Sequence, residues 1–146
     1  MTILILQVLQ ASIIWKQCAE LPNKLSEGKA TVINGMVYCG GGTVDDSNNV
    51  YIVYCYDPSK DKWTNLRQLP VKLFGLGQVN GKLVSVGGKK NNLRTNEMYT
   101  YDERSRKWKQ TIPCMPTARC APGVVSLQSA LVVAGGGTQY QEVIQT

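Results

Sequence analysis

The chain has 146 residues, of which 43% are hydrophobic and 18% charged, and its formal net charge is +6. This composition is typical of a globular domain and excludes a disordered chain. The sequence contains no histidine, so it lacks the side chain that most often serves as a general base or as a metal ligand. We therefore expect no enzymatic activity and no cofactor.

The cysteines give no support to a zinc or redox site, because none of them forms a C-x-x-C pair. They are Cys18, Cys39, Cys55, Cys114 and Cys120. An odd number of cysteines, in a chain whose apolar start lacks the basic residues of a signal peptide, favours a reducing compartment. The expected location is the cytoplasm.

The positive net charge is compatible with binding to nucleic acid, acidic peptides or anionic lipid. The basic residues lie in separate turns rather than in one run, and no nucleic-acid reading motif is recognisable. The charge is also ordinary for a soluble domain of this size. Nucleic acid is therefore not expected as a partner.

The first predicted elements are hydrophobic strands within residues 1–22. The stretch MTILILQVLQASIIW is apolar, but it is interrupted by Gln and Ser and is too short to span a membrane. We interpret residues 1–22 as the remnant of a repeating unit whose last strand surrounds Trp15. No membrane interaction is expected.

Residues 23–69 contain four predicted strands. KATVI and MVYC flank the turn Asn34-Gly35, and the second run ends at Gly41 and Gly42. The alternating run VYIVYCY follows, then the turn DPSKDK and the short strand WTNL. Asn-Gly between alternating runs is a strong hairpin signal, because both positions tolerate positive φ. The pattern predicts a four-stranded antiparallel sheet, with strands A to D.

Residues 70–115 repeat the same order of elements. GLGQV and KLVSV flank the turn Asn80-Gly81, and EMYTY, DERSRK and WKQT follow the glycine pair. Residues 116–146 supply strands A and B of a third unit and stop inside strand C. The chain therefore contains two full units and part of a third.

Three sets of markers recur in a constant order at intervals of 45 to 48 residues. The glycine pairs are Gly41-Gly42, Gly87-Gly88 and Gly135-Gly136, the tryptophans are Trp15, Trp63 and Trp108, and the prolines after a bulky apolar residue are Pro22, Pro70 and Pro116. Such a period indicates a repeat architecture in which each unit buries its apolar face against the next.

The marker residues are expected to hold the scaffold rather than to bind a ligand. A glycine pair at the end of strand B permits the backbone to pass close to a neighbouring sheet. In both full units a tyrosine precedes the tryptophan by seven residues, Tyr56 before Trp63 and Tyr101 before Trp108. These aromatic side chains are expected to pack between adjacent sheets. Near the start of the chain, Val8 stands at the tyrosine position.

The segments YCGGG, SVGG and VAGGG, together with YDPSKDKW and YDERSRKW, resemble the kelch repeat. MPTARCAPG, at residues 115–123, is similar to the start of strand A in that family. The resemblance implies an all-β fold of kelch-type β-propeller blades, each a four-stranded antiparallel sheet. Propellers typically close with about four to eight blades. This chain holds about three blades' worth, so we expect an incomplete ring.

Two interpretations of the incomplete ring stay open. The chain is a fragment of a longer kelch protein, or two chains associate to close one six-bladed ring. In the second case strands A and B of the last unit and strand D of the first would form a composite blade. Open blades expose apolar faces and strand edges, which favours association. Any cut through a periodic array leaves complementary ends, so the fragment is the preferred interpretation.

Ligand binding is expected in the loops, because the strands of a propeller hold the scaffold. The D–A and B–C loops share one face, and the resemblance implies that kelch-like ubiquitin-ligase adaptors grip short peptides there. The predicted site for an acidic peptide or protein consists of Lys89, Lys90, Arg94 and Arg119. Asp45 and Asp46 are nearby opposite charges. Arginine suits this task because its planar guanidinium pairs with both carboxylate oxygens. The alternative is that these are solvated loop charges.

The sequence thus predicts a non-enzymatic protein-interaction scaffold that resembles the substrate-recognition part of ubiquitin-ligase adaptors. A kelch protein that binds actin or the cytoskeleton is one alternative, and a non-functional fragment of a longer protein is another. The copper oxidase site of some kelch propellers requires imidazole ligands, which this sequence lacks.

Overall fold

The computed structural model describes residues 4–9, 12–42, 51–72, 74–127 and 129–137. Within these residues all regular elements are β-strands, and each sheet is antiparallel. The predicted all-β fold is confirmed. Asp45, Asp46 and residues 138–146, where strand C of the third unit was expected, lie outside the described residues. The predicted boundaries of the repeats stay predictions.

The first two strands, β1 (Leu4–Leu9) and β2 (Ser12–Gln17), form a two-stranded sheet that we call hairpin N. Their register places Leu6 opposite Trp15. Leu6, rather than Val8, therefore corresponds to the tyrosines that stand opposite tryptophan in the later sheets. The two strands pair from Leu9 with Ser12 outwards, so the residue opposite Trp15 lies nine positions before it (15 − 6 = 9) instead of seven.

Two four-stranded sheets follow, and in each the strand order is the chain order. Blade I consists of β3 (Lys29–Ile33), β4 (Met36–Gly40), β5 (Val53–Asp57) and β6 (Lys62–Asn65). Blade II consists of β7 (Leu76–Val79), β8 (Lys82–Lys90), β9 (Leu93–Asp102) and β10 (Lys107–Thr111). The strands β11 (Gly123–Ser126) and β12 (Leu131–Ala134) form a further two-stranded sheet, which we call hairpin C.

One strand end differs from the prediction, because strand B of blade II does not stop at its glycine pair. β8 continues through Gly87 and Gly88 and is followed directly by a two-residue turn. Asn91 and Asn92 form this turn with φ values of 51° and 63°, a conformation that asparagine tolerates better than most residues. The connection between strands B and C is therefore a tight hairpin, with β9 starting at Leu93.

The apolar cores lie between successive sheets. The core between blades I and II consists of Ile33, Val53, Leu69, Val71, Leu76, Leu83, Tyr99 and Tyr101. The other face of blade II packs Val84, Val86 and Met115 against Leu131 and Val133 of hairpin C. The A strands contact one another in turn, β3 with β7 and β7 with β11. Blade II therefore buries both of its faces against its neighbours, in keeping with the stacking that the repeat period predicted.

Strand A of blade II also carries a close contact that its sequence did not reveal. A Cβ at Gly77 would lie 2.5 Å from Cδ1 of Leu131, so a larger residue would push hairpin C away. The neighbouring Gln78 donates its backbone N–H to Oγ of Ser126 over 2.8 Å. The GLG segment thus permits the close approach of hairpin C.

Candidate functional site

The second glycine of each pair lies where a Cβ would collide with the backbone of the segment that precedes strand A. All six have positive φ, between 63° and 122°. A Cβ at Gly42 would collide with the carbonyl oxygen of Ser26, and a Cβ at Gly88 with that of Lys72. In both cases the carbonyl belongs to the segment that leads into strand A of the same blade. These glycines therefore let the chain within or just beyond strand B pass close to that segment.

The two tryptophans of the blades tie each blade to the sheet before it. The indole nitrogen of Trp63 donates to the carbonyl oxygen of Ala19 over 3.0 Å, just beyond β2. The indole of Trp108 donates to the carbonyl oxygen of Arg67 over 2.8 Å, just beyond β6. Each indole also lies against the tyrosine seven residues earlier, with ring centroids 4.9 Å and 5.2 Å apart. These aromatic residues therefore serve the junction between blades.

In blade I a carboxylate reinforces this junction. Oδ1 of Asp61 accepts the backbone N–H of Ala19 over 2.8 Å and the hydroxyl of Tyr56 over 2.6 Å. These two hydrogen bonds hold the pKa of the Asp61 carboxyl below its usual value. Asp61 and Trp63 together bind both backbone polar groups of Ala19. We call this arrangement the Ala19 clamp.

Trp15 does not share this role, although it lies in phase with the other two tryptophans. Its side chain is 61% exposed, so its expected place in a core between sheets is wrong for the described part of the chain. Its partner in the register is Leu6 instead of a tyrosine, and no ring contact involves it among the described residues.

Three cations lie side by side on three neighbouring segments of the face that carries the B–C and D–A connections. Lys89 of β8 stands directly opposite Arg94 of β9. On its other side Lys89 forms a bridge with Lys72, with backbone N···O distances of 2.8 and 3.1 Å. Residues that are directly opposite in an antiparallel pair present their side chains on the same face. We call Lys72, Lys89 and Arg94 the basic row.

The two predicted arginines meet at the glycine segment of the third unit. Nη1 of Arg119 donates to the carbonyl oxygen of Gly135 over 2.8 Å. The guanidinium of Arg94 lies over Gly137, with Nη2 3.1 Å from the position that a Cβ would take. The structure therefore brings Arg94 and Arg119 to the same segment, beside the basic row.

Lys90, by contrast, is not part of this group. Its Nζ lies 2.8 Å from Oε1 of Glu97 in an ion pair, and the other oxygen of Glu97 accepts the hydroxyl of Tyr99 over 2.7 Å. Hydrogen bonding to Lys90 holds the pKa of the Glu97 carboxyl below its usual value. The charge of Lys90 is thus compensated within the chain. Sequence reasoning included Lys90 and left Lys72 out of the core of the site, because spacing alone does not show the bridge to Lys89.

In the described residues no group of three or more His, Cys, Asp or Glu side chains is placed to hold a metal ion, and the five cysteines are free. No helix of the described part is long and apolar enough to cross a bilayer.

The sheets, their stacking and the glycine and tryptophan junctions define a repeat protein of the β-propeller class. A family model of the Kelch motif matches residues 25–70. The chain is 90% covered by an alignment with the solved structure of YjhT, with a TM-score of 0.76, 16% identity and 50% coverage of that chain, a likeness that concerns the fold.

The chain is also similar to parts of several curated proteins. The chain is 27% identical over 126 residues to Kelch-like protein 41a of Danio rerio, and this alignment covers 85% of the chain and 21% of the relative. It is 29% identical over 111 residues to Beta-scruin of Limulus polyphemus, with 68% and 12% covered. It is 33% identical over 99 residues to Kelch repeat and BTB domain-containing protein 1 of Vaccinia virus (strain Copenhagen), with 64% and 18% covered. The chain carries the kelch repeat, which the family model matches at residues 25–70, and it spans about a fifth or less of the length of these relatives.

Proposed function

We propose that the chain is a protein-interaction module that binds an acidic segment of a partner protein on the basic row. The observation that carries the proposal is the direct cross-strand placement of Lys72, Lys89 and Arg94. Like charges directly opposite each other in a sheet are destabilising by up to about 1 kcal/mol per pair. None of the three forms an ion pair with another described residue. A carboxylate from a partner would relieve this repulsion.

The neighbouring arginines suit a carboxylate ligand. A guanidinium offers five N–H donors in a planar fork, and Arg119 commits one of its terminal nitrogens to Gly135. Its remaining donors and those of Arg94 are available beside the row. Because Arg119 is anchored to the third unit and Arg94 to blade II, an acidic segment bound here would bridge two successive repeats.

The biological setting of this interaction is proposed from resemblance. Kelch-like adaptors of ubiquitin ligases use the corresponding face for substrate recognition, and one relative of this chain carries a BTB domain in its name. We favour recognition of a protein substrate in the cytoplasm, without catalysis. A cytoskeletal role is the alternative within the same family, and actin co-sedimentation separates the two. Pelleting with filaments would favour the alternative.

The test is binding to a displayed library of random short peptides. We expect the unmodified chain to enrich peptides with two or more carboxylates, and Lys89→Glu with Arg94→Glu to abolish this enrichment. The matched control is Arg106→Glu with Lys107→Glu, which makes the same change in charge at the end of the turn between β9 and β10 and at the first residue of β10. Enrichment that survives reversal of the basic row, or that is equally lost in the control, would contradict the proposal.

A second proposal concerns self-association of two chains. Four apolar side chains on the outer sheets are roughly half or more exposed, namely Ile14 at 48%, Trp15 at 61%, Val125 at 60% and Val132 at 47%. A second copy that packs hairpin C against hairpin N would cover them. Size-exclusion chromatography with light scattering should then give the mass of two chains, reduced to one chain by Val125→Ser with Val132→Ser. A monomer at all concentrations would exclude this proposal.

A further inference from the structure

A cavity of about 480 Å³ opens on the face opposite to the basic row. It lies among the turn between β3 and β4, the turn between β7 and β8, and the turn between β9 and β10. Asn34 and Gly81 line it from the first two turns, and Glu103 and Arg104 from the third. This volume is within the usual range of about 300–1,000 Å³ for small-molecule sites.

The cavity exists because two strands of blade II diverge early. Pairing between β8 and β9 begins at Val84 and Thr100, so Leu83 and Tyr101 are not paired with each other. In blade I the corresponding strands pair one position further, at Val37 with Tyr56. The fork in blade II leaves an apolar and aromatic wall formed by Leu83 and Tyr101.

The rim of the cavity carries charges that the chain itself does not neutralise. Lys82, Glu103 and Arg104 form no ion pair with any other described residue. The nearby Asp102 is fully used, since it pairs with Lys109 and accepts the backbone N–H of Arg104 over 3.0 Å. The hydrogen bond from Arg104 fixes the backbone of the turn, and the side chains of Glu103 and Arg104 form no ion pair with the described residues.

The charge of Glu103 acts across the cleft on blade I. Burial, and then the nearby Cys55, raise the pKa of the Tyr38 phenol to about 12, and the charge of Glu103 adds to this rise. Tyr38 belongs to β4 of blade I, whereas Glu103 follows β9 of blade II. Glu103 itself is exposed at the rim of the cavity.

The repeat does not require these charges. Blade I has Met36 where blade II has Lys82, and it has Pro58 and Ser59 where blade II has Glu103 and Arg104. Blade I therefore builds the same turns without charged groups at these three positions. A requirement of the fold would apply to both blades, so the charged rim calls for a separate explanation.

We propose that this cavity binds a small zwitterion, of the size of an amino acid or a dipeptide. Its carboxylate would lie between Lys82 and Arg104, which supply two unpaired cations. Its ammonium group would pair with Glu103. Its apolar side chain would pack on Leu83 and Tyr101. The site is independent of the basic row, because it lies on the other face.

The test is an NMR titration of the ¹⁵N-labelled chain with alanyl-phenylalanine. We expect shifts confined to amides around the cavity, such as those of Leu83, Thr100 and Glu103, with a dissociation constant on the order of 1 mM. Two modified dipeptides test the two charges of the ligand separately, with the protein unchanged. The N-acetylated and the C-amidated dipeptides should each bind about tenfold more weakly, because each lacks one charged partner.

Variants assign each charge to its residue. Glu103→Gln should weaken the unmodified dipeptide about tenfold and leave the N-acetylated one unchanged. Arg104→Gln should weaken the unmodified dipeptide about tenfold and leave the C-amidated one unchanged. Arg106→Gln, in the same turn but outside the lining, is the matched control and should change nothing. Equal binding of the three probes, or no localised shifts at millimolar concentrations, would overturn the proposal even if a variant failed to fold.

Discussion

Blades I and II share one backbone plan and differ in how they use their polar residues. Blade I has short B and C strands of five residues each and holds the preceding sheet with the Ala19 clamp. Blade II has B and C strands of nine and ten residues. At the position of Asp61 it has Arg106, in the same left-handed backbone conformation, with φ of 54° against 48°. The indole bond to the preceding sheet is kept in both.

The comparison separates what the repeat demands from what is free to vary. Both blades have a glycine pair in or just after strand B and a tryptophan in strand D, because the second glycine avoids a collision with the backbone and the indole bonds to the preceding sheet. The charged residues differ between the blades, and both candidate binding surfaces draw most of their charges from residues 70–115. Binding is therefore expected where the blades differ and stability where they agree.

The largest expected effect concerns the glycine pairs, where the two blades should behave alike. Gly88→Ala and Gly42→Ala each place a Cβ against a carbonyl oxygen in a strained backbone conformation. We expect each to lower the free energy of unfolding by about 3–5 kcal/mol, measured by urea denaturation. Gly81→Ala is the control, since φ is 73° there but nothing lies within 4 Å. It should cost about 1–2 kcal/mol. Equal losses at Gly81 and Gly88 would show that the close approach is unimportant.

The loss of stability on replacing a tryptophan should depend on whether its indole bonds to the preceding sheet. Trp63→Ala and Trp108→Ala each remove a ring contact and an interblade hydrogen bond, and we expect losses of about 3 kcal/mol. Trp15→Ala should cost at most about 0.5 kcal/mol, as for other exposed positions. Thermal and urea unfolding measure all three. A large loss at Trp15 would place it in a core after all.

The Ala19 clamp predicts a smaller difference in stability between variants of the two blades, and this difference should depend on pH. Asp61→Ala should lower the melting temperature by several degrees at pH 7, and Arg106→Ala should not. The folded pKa of Asp61 is depressed, so its contribution is complete above the unfolded value near 3.9 and is lost as the pH falls through the folded pKa. The gap between wild type and Asp61→Ala should therefore narrow in acid. A gap that is constant with pH would exclude the charged carboxylate as its source.

The smallest expected effect is a gain. Arg106→Asp places a carboxylate where Asp61 stands in blade I, within a conformation that aspartate tolerates. It should accept the backbone N–H of Arg67 and the hydroxyl of Tyr101, and raise the melting temperature by about 2 °C. Differential scanning calorimetry is the measurement, with Arg106→Asn as the uncharged control. No rise with either variant would mean that the two junctions are not equivalent.

Much of the fold could be predicted, because the signals that define it are local. Asn-Gly turns, glycine pairs and the tyrosine–tryptophan spacing are each readable within a few residues, and their common period shows that sheets stack. The binding site itself stays a prediction. The loops point to Lys89, Arg94 and Arg119, whereas the bridge that places Lys72 beside Lys89 depends on tertiary packing that spacing does not encode.

Errors in the prediction have the same origin. The B–C connection of blade II reads as a polar loop, but Asn91 and Asn92 adopt positive φ and extend the sheet to the tip. That extension places Lys90 in an ion pair with Glu97. The seven-residue spacing of the later blades points to Val8 as the counterpart of the tyrosines, but the register of hairpin N pairs Trp15 with Leu6. Each of these errors concerns the register in which two strands pair, and the composition of the strands does not determine that register.

The central claim is that the cores lie between sheets, with each indole bonded to the chain segment of the preceding sheet. NMR cross-peaks and hydrogen exchange of the three indole N–H protons test it most directly. We expect the indole protons of Trp63 and Trp108 to show contacts to the segments around Ala19 and Arg67 and to exchange slowly, while that of Trp15 exchanges freely. Fast exchange of all three, without contacts to the preceding sheet, would contradict the account.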